Sequence, residues 1–533
     1  MGFLYFCRRI QRQRDRRFVL SCVGSAAATW AFWVLRMESL ESLIYGLSVI
    51  MTPAHLYHCF IGSLIGTLIG VLPGIGPLAT LSLLLPVAMT LDPIGSIAML
   101  SAIFYGAMYG GAITSILINI PGEAASVATC LDGYAMARRG RAGAALGMAA
   151  FSSFIGGTLS LLLLTWFAPF LSSVAIRLGP PEFAGLMLLG LICSLMMIQG
   201  SALRGILMIA LGFVFASVGL DIVNGRERLT FGSVNLTAGI DLLAVVIGLF
   251  GVSEILLNVE NQIKASGVSD RVRGLLPNRE DWAATWLSNL RGTGLGFVLG
   301  IIPGGGPITA SFMAYAVEKR FGKRPEEFGS GRIEGVAGPE SANNAAVVSG
   351  MIPLLTLGLP GNAVTALLLG ALVIQGVQPG PLMIVQHPDV FWGVIASMYV
   401  GNVFLLILNV PLIGIWVQLL RIPYAVLFPM ILLLSLVGTY AANKNIFDLW
   451  VMLGFGVGGY VLRKLHYEIT PLVLAFVLAP MLEQSVRQSM VMSGDGAAIF
   501  VNRPVTLSLI LLSLFLIAVL VRKEVFSNKW RKI

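Results

Sequence analysis

Two carboxylates stand beside apolar runs long enough to enter a membrane. Glu123 follows Asn119-Ile120-Pro121-Gly122, and Glu340 lies within Gly338-Pro339-Glu340-Ser341-Ala342-Asn343-Asn344. An acid at the bilayer centre carries an insertion cost of roughly 2.5–3.5 kcal/mol, so acids retained there usually serve as cation or proton sites. The competing reading is a helix cap or an interfacial residue, and Asp132, close to Arg138, invites it most. Hydroxyls and amides accompany the acids: Thr80, Ser126 and Thr129 in one half, and Thr309, Ser311, Ser341, Asn343, Asn344, Asn362 and Thr365 in the other. Such neutral donors can hold an anion without a full buried cation.

A doubled Pro-Gly signal must position these groups. Gly70-Val71-Leu72-Pro73-Gly74-Ile75-Gly76-Pro77 has a near-copy 230 residues later (303 − 73), Gly300-Ile301-Ile302-Pro303-Gly304-Gly305-Gly306-Pro307. Proline lacks the amide donor and glycine is loose, so neither stretch continues a helix. Each half has a second break, at Pro121-Gly122 and Pro360-Gly361. Backbone groups freed at membrane depth must be buried in protein or line a wet cavity, and paired breaks of this kind point to a transport site. Arg291 and Lys319 flank 27 residues (319 − 291 − 1), too few for two crossings of ~20 residues each. The spacing therefore predicts a re-entrant hairpin at each first break and a broken helix at each second, all four meeting near the midplane.

A helix restarting after Pro-Gly offers unpaired N–H groups and the positive end of its dipole, which suit a carboxylate. Opposed helix ends and loose carbonyls can coordinate Na⁺. The expected substrate and ion site comprises, in the first half, Pro73, Gly74, Gly76, Pro77, Thr80, Asn119, Pro121, Gly122, Glu123 and Ser126. In the second half it comprises Pro303, Gly304, Gly306, Pro307, Thr309, Glu340, Ser341, Asn343, Asn344, Pro360, Gly361, Asn362 and Thr365.

Composition sets the surroundings. Of 533 residues, 56% are hydrophobic and 11% charged, with a mean hydropathy of +0.86; a soluble chain carries about 25% charge. The expected fold is an all-α polytopic membrane protein with about 12 transmembrane segments, counted at ~20 residues each. Residues 37–258 and 292–521 form two transport repeats, separated by a charged cytoplasmic loop at 259–291 and followed by a basic tail at 522–533. Residues 1–36 hold seven arginines and one aspartate, +6 of the net +9, and read as a signal-anchor-like extension or as an upstream start ahead of Met37. The rest of the positive charge falls in short loops, as the positive-inside bias expects, and this excludes a nucleic-acid reading. Arg138-Arg139-Gly140-Arg141 and the 259–291 loop are separated by four spans, so both face the cytoplasm. The five cysteines show no CxxC spacing and read as packing residues.

Other classes lack their motifs. There is no HExxH, GxSxG or GxGD, and Gly322-Lys323-Arg324 is not a Walker lysine, so neither an intramembrane hydrolase nor ATP-driven transport is encoded. Gly74-Ile75-Gly76-Pro77-Leu78-Ala79 imitates a dinucleotide fingerprint but places proline where its helix would start. The GxxxG pairs Gly62–Gly66, Gly66–Gly70 and Gly296–Gly300 read as helix packing. No cofactor is expected beyond a coupling ion, Na⁺ or H⁺.

The blocks Gly66–Pro77, Tyr109-Gly110-Gly111, Asn119–Glu123 and Leu131-Asp132-Gly133-Tyr134 resemble the TctA family, the large membrane subunit of the tripartite tricarboxylate transporters. Ile302–Pro307, Gly338–Asn344 and Leu359-Pro360-Gly361-Asn362 are similar to the same family. The resemblance implies a secondary transporter of the bacterial inner membrane. It also implies a small TctB-like membrane subunit, a periplasmic TctC-like solute-binding protein and a citrate-like carboxylate substrate. The chemistry of the residues by itself leaves open a stand-alone ion-coupled carboxylate carrier that needs no binding protein.

Overall fold

A computed structural model describes residues 39–72, 76–196, 201–221, 224–261, 274–302, 304–322, 324–419, 424–494 and 496–530. The 1–36 extension and three expected tip residues, Pro73, Gly74 and Pro303, lie outside the described residues.

Among the described residues the only regular structure besides helices is one two-stranded hairpin. In the first half the helices are α1 (Ser39–Ile50), α2 (Pro53–Val71), α3 (Gly76–Ala88), α4 (Pro93–Ile118), α5 (Val127–Arg138), α6 (Ala142–Ala175), α7 (Pro180–Met196), α8 (Ala202–Ala216) and α9 (Leu242–Glu260). The second half contains α10 (Arg279–Ile301), α11 (Gly306–Phe321), α12 (Glu334–Ser349), α13 (Met351–Leu357), α14 (Ala363–Ile374), α15 (Pro388–Asn409), α16 (Tyr424–Asn443), α17 (Ile446–Lys464), α18 (Thr470–Met492) and α19 (Pro504–Trp530). Among the described residues, seven helices are long and apolar enough to cross a membrane, and five further apolar helices are shorter, at 10–17 residues. The sequence led us to expect about twelve full spans. The difference arises because the Pro-Gly breaks cut α3 and α14 short, while α10 and α18 carry charges within their length.

Helix α4 is the centre of the molecule. Its membrane-length window is wholly buried, as expected of a helix that is apolar all round. Asp92 starts it by accepting from the Gly95 amide at 3.1 Å, with Pro93 in the first turn. Helix α2 lies against α4 with backbones nearly touching. A Cβ on Gly62, Gly66 or Gly70 would come within 2.4–2.5 Å of the carbonyl oxygens of Met99, Ile103 and Ala107. The contact of α10 with α12 has the same character: a Cβ on Gly292, Gly296 or Gly300 would meet the carbonyls of Gly338, Ala342 and Ala346 at 2.1–2.4 Å. Small residues at every fourth position permit this approach, so the GxxxG pairs do pack helices.

Two helical hairpins arise from the first breaks. Helix α2 ends at Val71 and α3 begins at Gly76 with φ +63°; α10 ends at Ile301 and α11 begins at Gly306 with φ +52°. Both glycines sit in the left-handed region that side chains resist. Helix α10 starts at Arg279, well before the Arg291 that charge spacing suggested and inside the stretch read as a loop. Asn278 caps it through a reciprocal box with Asp281. Helix α10 can include Arg291 because Glu318 of α11 accepts from its Nε at 2.7 Å and its Nη2 at 2.6 Å, while Ser288 donates to the same carboxylate at 2.6 Å. That half-buried pair ties the two arms together near their base.

Between α8 and α9, β1 (Gly219–Leu220) pairs antiparallel with β2 (Glu227–Arg228). Arg228 and Arg487 both bridge Asp221 to Glu483 of α18, so the loop is held by four alternating charges. Outside the spans, the hydrogen bond from Arg228 holds the Glu483 carboxyl below the usual glutamate range, against a smaller opposing effect of burial.

Candidate functional site

The second breaks have one local design. Helix α4 ends on Asn119, in the left-handed conformation at φ +57°, and α13 ends on Gly358 at φ +68°. Pro121-Gly122 and Pro360-Gly361 come next in the chain. Each new helical segment then starts with a capping box: Glu123 with Ser126, and Asn362 with Thr365. Glu123 Oε2 accepts from the Ala125 amide at 2.8 Å, and Asn362 Oδ1 accepts from the Thr365 amide at 2.9 Å. The open helix ends expected from the sequence are therefore partly closed by the chain's own side chains. The other oxygen of Glu123, Oε1, is buried and has no protein partner.

Each hairpin is seated on a break. A Cβ on Gly122 would stand 2.0 Å from the Gly70 carbonyl oxygen of α2, and the Gly304 amide donates to the Gly361 carbonyl at 2.8 Å. A cavity of about 710 Å³ opens where these pieces meet. From the first half it is lined by Gly76, Pro77, Pro121, Gly122 and Glu123, and from the second by Gly304, Gly306, Pro307, Thr309, Gly361 and Asn362.

The remaining expected residues among those described do not line this cavity. Thr80 donates back to the Gly76 carbonyl at 2.8 Å inside α3. Asn119 and Pro360 shape the turns, while Ser126 and Thr365 complete the caps. Ser341 donates to the Gly338 carbonyl at 3.0 Å, beside the glycine face of α10. Glu340 is fully buried and is not among the residues lining the cavity. Its carboxylate accepts from Thr129 at 2.5 Å, Asn343 at 3.2 Å and Ser153 at 3.3 Å. Asn344 donates to the Glu340 carbonyl at 3.0 Å and to Asn343 Oδ1 at 2.6 Å. The chain thus joins the two acids: Glu123 caps the 3₁₀ turn Ala124–Ser126, which leads straight into α5, whose Thr129 reaches Glu340. Asp132, further along α5, has a structural task. Its Oδ1 accepts from the amides of Gly329, Gly331 and Arg332 at 2.7–2.9 Å, and Tyr315 donates to Oδ2 at 2.9 Å.

The cavity wall also holds a cation that sequence reasoning missed. Arg463 of α17 forms an ion pair with Glu254 of α9, and both line the cavity with Glu468. In the sequence, Arg463-Lys464 closes an apolar run, and nothing local links it to Glu254.

Fold and site together define a predominantly helical, multi-pass membrane protein enclosing a cavity between two helical hairpins and two helix breaks. The chain belongs to the Tripartite tricarboxylate transporter TctA family, whose family model matches residues 56–474. It is 46% identical over 493 residues to an uncharacterized 52.8 kDa protein in the TAR-I ttuC' 3' region of Agrobacterium vitis, covering 92% of this chain and 98% of that protein. An uncharacterized protein in the TAR-II ttuC' 3' region of the same organism is 49% identical over 234 residues, covering 44% of this chain and 97% of that protein. No solved structure matches the chain. A transporter component in a membrane is therefore the class within which the site is read.

Proposed function

We propose that the chain is the large permease subunit of a tripartite secondary transporter, importing tricarboxylates or related carboxylates with Na⁺ or H⁺ across a bacterial inner membrane. Its partners are a small TctB-like membrane subunit and a periplasmic TctC-like binding protein. The observation that carries the reading is the shared cavity of about 710 Å³, lined by both hairpin segments and both breaks. Its size suits a small organic anion, and freed backbone at membrane depth belongs beside such a space.

Three features support two transport repeats and about a dozen crossings, several made by the shorter helices. The glycine triplets 62/66/70 and 292/296/300 are each offset by 230 residues (292 − 62) and perform the same packing. The breaks share a left-handed cap, Pro-Gly and a capping box. The hairpins differ in charge: there is no Lys or Arg between Met37 and Ala137, whereas Arg291, Lys319 and Arg320 lie near the open end of the second hairpin. By the positive-inside bias the two hairpins enter from opposite faces.

Alternating access then moves the hairpins and broken helices against the remaining helices. Burying an anion is costly without a compensating charge, so substrate and cation enter together. Glu123, with an unpartnered buried oxygen, and Glu340, which faces only neutral donors, are the acids placed to answer the coupling ion.

The test is uptake of labelled citrate, succinate and malate into proteoliposomes holding the chain with both partners, with and without a Na⁺ or proton gradient. Gradient-driven uptake that needs the binding protein is expected. Uptake without it establishes a stand-alone carrier instead, and no uptake of any of the acids removes the substrate class.

A further inference from the structure

Three acids and one guanidinium line the cavity among its described residues: Glu123, Glu254, Glu468 and Arg463. An entering carboxylate therefore meets a largely apolar wall whose charged groups are acidic except at Arg463. The first-turn amides that could replace a cation are partly taken, by Glu123 and Asn362. The Arg463–Glu254 pair is built into the wall with care. Helix α9 has a π-helical turn over Ile247–Val252, directly before Glu254. Such turns insert a residue, re-aim the side chains beyond them and concentrate at functional sites. Helix α17 is locked onto that turn: a Cβ on Gly248 would meet the Met452 carbonyl at 2.4 Å, and one on Gly459 the Leu249 Cα at 3.2 Å. The Arg463 guanidinium lies 6.0 Å from the ring centroid of Phe250, another cavity residue. Both members of the pair keep 25% of their side-chain surface exposed, so solvent and solute can reach them. The Arg291–Glu318, Arg141–Asp281 and Arg228–Asp221 pairs, by contrast, touch no part of this cavity.

We propose that Arg463 binds one carboxylate of the transported anion, and that Glu254 occupies the guanidinium while the cavity is empty. This rests on the transport reading above. The planar fork of arginine matches any carboxylate, so the substrate exchanges directly with Glu254 on the same donors. A second carboxylate of the same molecule then reaches the breaks, which makes di- and tricarboxylates better substrates than monocarboxylates.

The experiment compares wild type, R463K, R463Q, E254Q and R463Q/E254Q in the complete tripartite system, with labelled citrate, succinate and propionate. Folding of each variant is read by size-exclusion chromatography. Loss of a charge-assisted fork should raise the KM about ten-fold in R463K and cut uptake about a hundred-fold in R463Q. E254Q, having lost the internal competitor, should lower the KM about three-fold, as removal of a competing ion pair implies. The double variant should be as impaired as R463Q. Recovery of uptake in the double variant would mean the pair is only structural and would overturn the proposal, as would an unchanged KM in R463Q. If R463Q does not fold, E254Q decides, and a raised or unchanged KM there rejects the exchange. Wild type that moves none of the acids overturns the transport reading and this proposal together; wild type that transports normally beside unaffected Arg463 variants overturns this proposal alone.

Discussion

Gly122→Ala, at the second break of the first half, should do far more damage than a methyl added at Gly76 of the first break, where nothing lies within 4 Å. The new Cβ would stand 2.0 Å from the Gly70 carbonyl oxygen, 2.7 Å from Gly111 Cα and 2.9 Å from Thr114 Oγ1. Ordinary contact begins at 3.4 Å, so about 1.4 Å (3.4 − 2.0) must open against backbone rather than a flexible side-chain end. Both neighbours are held by glycine packing between α2 and α4, and neither can yield alone. Overpacking costs roughly 1–3 kcal/mol, and a backbone obstacle on two sides puts this substitution at the upper end, about 3 kcal/mol. Gly454→Ala on α17 is the matched control: nothing lies within 4 Å of its Cβ, and glycine in a helix gives up about 0.5–1 kcal/mol to alanine. The two variants should therefore differ by about 3.5–4 kcal/mol, the sum of those terms. Thermal unfolding in detergent, followed by fluorescence-detected size exclusion, measures the difference, and citrate uptake should fall with Gly122→Ala because the first hairpin loses its seat. Melting temperatures that coincide for the two variants would refute the close seating of hairpin on break.

Asp132→Ala strips three amides and a tyrosine hydroxyl of their acceptor and should cost about 3 kcal/mol or more, at 1–3 for each group left unsatisfied, with new protease cleavage near 329–332; Asp132→Asn, which keeps one carbonyl oxygen, should cost much less. Arg291→Gln leaves Glu318 buried without its cation and should lose about 3 kcal/mol, most of it recovered in Arg291→Gln/Glu318→Gln, as a thermal double-mutant cycle would read. Glu123→Gln retains an oxygen for the Ala125 amide, so stability should stay within about 1 kcal/mol, while ion-driven uptake falls at least about ten-fold; unchanged uptake would remove the carboxylate from the mechanism. Glu483 has a depressed folded pKa, so its contribution is fully present above the usual glutamate range and is lost as pH falls through the lowered value; hydrogen exchange in the 219–230 loop should rise on acidification and stay flat in Glu483→Gln.

The features legible in the sequence are those the backbone encodes locally. Pro-Gly pairs stop helices wherever they fall, so the break positions were readable, as was the packing use of Gly62, Gly66 and Gly70. Helix α10 began earlier than expected because Arg291 looks like a boundary until Glu318, 27 residues further on, is seen to neutralise it. Neighbourhoods made by distant segments left no local trace at all. Thr129 meets Glu340 across 211 residues, and Arg463 meets Glu254 across 209. Arg463, a cavity-lining guanidinium, is absent from the residues expected at the site for the same reason. An arginine ending an apolar helix has two physical meanings, an anchor in the headgroups or a charge turned inward, and its own sequence is identical in both. The choice lies in α9, where a π-helical turn aims Glu254 and the α17 glycines bring Arg463 within its reach. Charge at the end of a span is therefore evidence of sidedness only after the opposing helix is known, and here the opposing helix pairs the arginine with Glu254 in the wall of the cavity.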